Sequence, residues 1–238
     1  MKATNKDFIA RLSQSTALIR GVVRATRRHL QLTPMKRVLN ELTKRGVSVG
    51  DLVALEIFGC SGEGHVKDYA SLVSSLEVWE IDPQFENTLR RHFPNATVNI
   101  TDSYQEIKRT SKKYDLIIVD NGTSTRPGGY CEHFDLFPDI FRIAGDSCIL
   151  VLNVIPEIDQ KDTKGYPYLF NDEQLARRRI FYKTDRPEKV TFAQMLDTYR
   201  DLCRTYSFSL DWHFFERRNF IYYLVLRLSK ITIVSSNV

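Results

Sequence analysis

The stretch from Leu52 to Pro83, LVALEIFGCSGEGHVKDYASLVSSLEVWEIDP, constrains this chain more than any other. The mostly apolar run Leu52 to Phe58 suits a strand buried on both faces, as in a parallel sheet. Gly59, Gly62 and Gly64 follow. Without a Cβ the backbone there turns sharply and leaves room for a ligand to approach. A short helix and a second strand are predicted next, and each strand closes on an acid: Glu56 and, 24 positions on, Glu80. A carboxylate at the second place meets ribose hydroxyls in a Rossmann-type unit. The outline is that of a nucleotide-cofactor site; the plainer reading is an ordinary strand-to-helix turn.

Downstream, helix and strand patterns keep alternating. Gln84 to His92 reads as a helix, Ala96 to Ile100 as a third strand, and Thr101-Asp102-Ser103 as a turn in which Ser103 is a plain helix cap. Tyr114 to Asp120, YDLIIVD, is the clearest strand and ends in a carboxylate. Gly145 and Asp146 read as a turn and Ser147 to Val154 as a fifth strand. From Thr191 to Tyr206 a helix carries Phe192, Met195, Leu196, Tyr199, Leu202 and Cys203 at three- and four-residue steps, a packing stripe. Ser207 to Phe215 and Phe220 to Leu228 read as a hairpin.

These features resemble the class I S-adenosylmethionine-dependent methyltransferases, in motifs over residues 50–155 and in architecture over 190–230. The resemblance implies an α/β fold: a doubly wound, mostly parallel seven-stranded sheet with an antiparallel C-terminal hairpin, plus N-terminal helices. It implies S-adenosylmethionine as cofactor, held by Glu56, Phe58, Gly59, Cys60, Gly62, Glu80, Ile81, Asp102, Ser103 and Asp120. Glu56 matches the acidic start of the first motif, Gly62 its last glycine, Glu80 the ribose carboxylate and Asp102 the residue facing the adenine amino group. Phe58 replaces the first glycine, and Cys60 stands where the middle glycine is expected. Asp120 and Asn121 would face the reaction site. His133, in an expected helix reaching about Phe141, is a candidate general base, or else a lone surface histidine.

The residues after Asp120 disfavour several chemistries. Asp120-Asn121-Gly122-Thr123 lacks the Pro-Pro-aromatic continuation of base N-methyltransferases. Catechol-type metal ligation would use Asp120 and Asn153, but Leu152 stands where a middle Asp is required, so no metal is expected. The aminopropyltransferases share Glu80 to Pro83, yet NGTSTRPGG offers no further carboxylate to hold a polyamine and adds Arg126. An aminopropyltransferase, an RNA methyltransferase and a catalytically inactive binding or assembly subunit are the alternatives.

Residues 1–47 are expected to form a helical cap, 48–238 the Rossmann domain, and 156–190 an acceptor-selecting insertion. The cap helices carry Arg24, Arg27, Arg28, Lys36 and Arg37; the insertion carries Arg177, Arg178 and Arg179 beside Phe181 and Tyr182. Either group meets RNA phosphate, or forms the solvated face of an amphipathic helix. A net charge of +5 leaves an anionic partner open. Cys60, Cys131, Cys148 and Cys203 lack CxxC spacing, which suggests neither zinc nor disulfides. No run is long enough to span a bilayer and no signal-peptide core is seen, so a cytoplasmic protein is expected.

Overall fold

A computed structural model describes residues 32–120, 133–157 and 172–232. Seven strands, β1 (Val53–Glu56), β2 (Ser75–Glu80), β3 (Thr97–Ile100), β4 (Tyr114–Val119), β5 (Ala144–Val154), β6 (Phe208–Arg217) and β7 (Tyr222–Lys230), form one sheet in the order β3-β2-β1-β4-β5-β7-β6. The first five run parallel. β7 pairs antiparallel with both β5 and β6. The expected doubly wound, mostly parallel sheet with a C-terminal antiparallel hairpin is therefore the observed one.

Parallel strands require crossovers, and these cover both faces of the sheet. One face packs Leu55, Ile117, Leu150 and Leu226 against α3 (Ser103–Arg109), α4 (Asp139–Ile143) and α6 (Phe192–Thr205), with Tyr182 of α5 (Asp172–Tyr182). The other packs Ala54, Val78, Ile118 and Val225 against Leu89 and Phe93, at the end of α2 (Glu86–His92), and against α1 (Pro34–Lys44). α1 starts on Pro34 with Thr33 as its cap, as its sequence dictates. Its buried stripe Met35, Val38, Leu39 and Leu42 joins the sheet's own core.

Three local expectations are corrected. The connection from β1 to β2 holds only one 3₁₀ turn, His65–Asp68, in place of a short helix. Its sequence, GCSGEGHVKD, has too many glycines to propagate a helix. Gly145 and Asp146 lie inside β5 rather than in a turn. The segment from His133 is a 3₁₀ turn, Phe134–Leu136, followed by α4, because Pro138 interrupts a continuous helix. Residues 1–31 of the expected helical cap lie outside the described residues.

Candidate functional site

Side chains alternate across a strand, so residues two apart share a face. On the face shared with α1, each row is apolar until it reaches the carboxyl edge and then turns polar: Ala54 to Glu56, Leu116 and Ile118 to Asp120, Ile149 and Val151 to Asn153, and, on antiparallel β7, Val225 to Tyr223. The strand order reverses between β1 and β4, which makes this edge the topological switch point where open α/β sheets bind ligands.

A connected polar network fills that edge. His65 Nε2 lies 2.8 Å from Glu56 Oε2, and its Nδ1 lies 2.7 Å from Asp120 Oδ2. Tyr69 donates to Glu56 Oε2 at 2.6 Å. Asp120 also accepts from Tyr223 at 2.7 Å, from Arg218 at 2.5 Å and from the Asn153 amide. Arg218 reaches in from the β6–β7 turn and also bonds Asn153 Oδ1 at 3.3 Å. That contact fixes the Asn153 amide with its nitrogen toward Asp120, an orientation unsuited to metal ligation. Among the described residues, no group of three or more His, Cys, Asp or Glu side chains is arranged to hold a metal ion.

Burial opposes charge on His65, but the Glu56 charge and the hydrogen bonds to Asp120 and Glu56 outweigh it and push its pKa up to about 10. Burial would raise Asp120, yet the bond and charge of His65, then Arg218, hold it well below the usual carboxylate range. Both tyrosines stay protonated, chiefly through burial and then through the neighbouring carboxylate charge.

A pH profile follows. The stabilisation from His65 is complete below pH 6.5 and is lost as pH rises toward about 10. That from Asp120 is present above its ordinary 3.8 and is lost as pH falls. The thermal unfolding midpoint is expected to be highest between these limits and to decline on the alkaline side. In His65→Gln that alkaline decline should flatten; an alkaline limb identical to wild type would contradict the assignment.

Beside the network lies the glycine turn. Cys60 adopts φ 49° and Gly62 φ 71°, so the cysteine carries the left-handed conformation that glycine would supply at its place. The Gly59 N–H donates to Trp79 O at 2.9 Å, tying the turn to β2. Glu80 accepts from the Cys60 N–H at 2.6 Å and the Asp82 N–H at 2.8 Å, one on each carboxylate oxygen. Each oxygen retains accepting capacity. Phe58 packs on Tyr104 with centroids 5.9 Å apart, and Ile81 is 47% exposed at the same edge.

Other expected site residues sit differently. Asp102, not Ser103, caps α3, accepting from the Tyr104 N–H at 2.9 Å, whereas the Ser103 hydroxyl donates to Ile57 O at 2.6 Å. His133 is 1% exposed among Phe134, Phe137, Phe181 and Tyr199 and bonds the Tyr199 hydroxyl. Burial pushes its pKa down to about 3, so the ring sits neutral in this aromatic cluster rather than at the surface. Arg178 is also buried, donating to Pro187 O and Ile155 O, and Arg177 pairs with Asp135 and Glu173. Two of the three consecutive arginines therefore hold α5 in place rather than facing phosphate. Lys36 and Arg37 pair with Asp68 and Glu216. Asn121 and the rest of NGTSTRPGG lie outside the described residues.

Sequence reasoning passed over His65, Tyr69, Arg218 and Tyr223 and used Asn153 only to weigh a metal. Asn153 and Tyr223 share the strand parity of Asp120 and were findable on that ground. His65 and Arg218 lie in connections, where spacing carries no facing information.

No family model matches the sequence, and no curated protein matches it either. Solved structures do resemble the fold. A magnesium protoporphyrin IX methyltransferase (ChlM) from Synechocystis PCC 6803 with bound SAH shows 14% identity, covering 82% of this chain and 81% of that one, with a TM-score of 0.51. A chain named as a hemolysin from Streptococcus thermophilus, also 14% identical, covers 83% of this chain and 66% of its own, again at 0.51. The fold is thus the class I methyltransferase fold, and its neighbours do not all carry the name of a methyltransferase.

Proposed function

We propose that this protein binds S-adenosylmethionine across the carboxyl ends of β1, β2 and β4 and transfers its methyl group to an acceptor. The observation that supports this most is the turn from Gly59 to Gly62, left-handed at Cys60 and Gly62, with the Glu80 carboxylate beside it at the switch point of the sheet. The donor set fits: both Glu80 oxygens keep capacity for ribose hydroxyls, Ile81 and Phe58 offer apolar surface to adenine, and Asp102 keeps its second oxygen for the exocyclic amine. Glu56 and Asp120 would face the methionine portion.

The bound cofactor supplies an electrophilic methyl group on a sulfonium. The chain's task is to align the acceptor with it and to exclude water. Asp120, locked by four donors, is a positioning group rather than a proton acceptor. Arg218 already occupies Asp120, the carboxylate that a polyamine would need there, which weighs against aminopropyl transfer.

A second reading, a methyltransferase-like binding or assembly subunit, draws support from the same ion pairs, since Asp120 takes all four of its donors from within the chain. Calorimetry with S-adenosylmethionine and S-adenosylhomocysteine separates the outcomes. Binding of both at micromolar concentration is expected, and folded protein that binds neither would sink the enzyme reading. Turnover on any acceptor would eliminate the subunit reading.

A further inference from the structure

We propose that the His65 imidazolium is a resident cation that a ligand's ammonium group must displace from Glu56 and Asp120, so that binding expels the ring and its proton. This rests on the cofactor reading above and concerns how the methionine portion gains its place.

Hydrogen-bond accounting carries the argument. Both ring nitrogens lie within bonding distance of carboxylate oxygens, at 2.8 Å from Glu56 Oε2 and 2.7 Å from Asp120 Oδ2. An ionised carboxylate only accepts, and a neutral imidazole has a single N–H, so the two contacts are made together by a ring that carries both protons. The Asp120 carboxylate is then saturated: Oδ2 accepts from His65 and Tyr223, and Oδ1 from Arg218 and Asn153. Glu56 Oε2 likewise accepts from both His65 and Tyr69. Glu56 Oε1 accepts only from the Phe58 N–H, at 3.4 Å, so it is on Asp120 that an ammonium group bridging the two carboxylates must replace a donor already present.

Asn153 and Tyr223 are neutral donors on paired strands, so turning either side chain away would remove no cation from the edge. His65 stands in the one-turn connection between β1 and β2, with its ring 14% exposed, and can swing outward. The groups that face it are Glu56 from β1, Asp120 at the end of β4, Tyr69 with ring centroids 6.3 Å away, Tyr223 from β7 at 6.4 Å, and Arg218 beyond Asp120. Two carboxylates face two cations here, and the methionine portion brings its own α-carboxylate with its ammonium, so it is the occupied acceptor sites on Asp120 rather than net charge that require a donor to depart.

Once in water, the ring recovers its ordinary pKa near 6.5, so at pH 7.5 about 0.9 proton passes to the buffer for each ligand bound. Titration calorimetry of S-adenosylhomocysteine at pH 7.5, in buffers of different ionisation enthalpy, counts that proton. 5′-Methylthioadenosine, which lacks the methionine portion, should bind with none released. In His65→Gln the release should vanish while S-adenosylhomocysteine binds at least tenfold more tightly. Binding of S-adenosylhomocysteine without proton release would overturn the inference and point to Arg218, which stays charged, as the departing group. If the variant does not fold, the wild-type proton count alone decides. Failure of both nucleosides to bind folded wild-type protein refutes the cofactor reading itself, and this inference falls with it.

Discussion

Asp120→Ala is expected to abolish cofactor binding and to lower the free energy of unfolding by about 3 kcal/mol or more, within the range of roughly 3–5 kcal/mol for breaking a buried ion pair from one side. The carboxylate joins four separate pieces of chain: His65 from the β1–β2 connection, Asn153 from β5, Tyr223 from β7 and Arg218 from the β6–β7 turn. Its side chain is 6% exposed, so the charge it balances is shielded from water on the protein side. Removing it leaves His65 with Glu56 alone and strands the Arg218 guanidinium over the Tyr223 ring, 4.9 Å from the centroid. Asp120→Asn keeps an acceptor but not the charge, and should cost less than the alanine variant. Urea denaturation followed by circular dichroism, with calorimetry on the folded fraction, measures both effects. If Asp120→Ala unfolds at the wild-type midpoint and still binds S-adenosylmethionine, the network holds neither the edge nor the ligand.

The same network shows where a sequence can be read and where it cannot. Strand periodicity is local and survives without tertiary knowledge, so Tyr114 to Val119 and the alternation of helix and strand around it were legible, as was the hairpin made by β6 and β7. Glu56, Glu80 and Asp120 were legible as edge residues because each ends a strand, and that edge is where open α/β sheets bind ligands. His65 was not. Its partners are 9 residues back and 55 residues on, and the turn that aims it is too short and glycine-rich to announce a face. Arg218 sits 98 residues from the carboxylate it serves. His133 misled for the opposite reason. A histidine near the carboxyl edge has the chemistry of a base, and only the packing of Phe137, Phe181 and Tyr199 around it shows that the ring is sealed in the core. Arg178 followed the same pattern, its charge satisfied internally by two backbone carbonyls.

The irregular centre of the glycine turn yields the second large effect. Gly62→Ala is expected to destabilise the fold by roughly 2–5 kcal/mol, combining about 1–2 for a left-handed L-residue with about 1–3 for overpacking. At φ 71° an added Cβ would lie 2.5 Å from Phe93 Cε2 and 3.0 Å from Leu89 Cδ2, both part of the core behind β2. Gly46 supplies the control. It follows α1 at φ 80° with nothing within 4 Å of an added Cβ, so Gly46→Ala should incur the backbone cost alone, about 1–2 kcal/mol. The difference between the two variants therefore isolates the steric part. Cys60, two residues before Gly62, already bears the left-handed cost at φ 49°, so the turn has little tolerance for a second strained position. Relief of the Gly62 clash would push the turn away from Phe93 and carry the Cys60 N–H from its 2.6 Å bond to Glu80. Affinity for S-adenosylmethionine should then fall with stability, whereas Gly46→Ala should leave it unchanged. Equal losses at the two glycines, with binding intact in both, would mean that the wall of Phe93 and Leu89 yields and that the turn is not held by it.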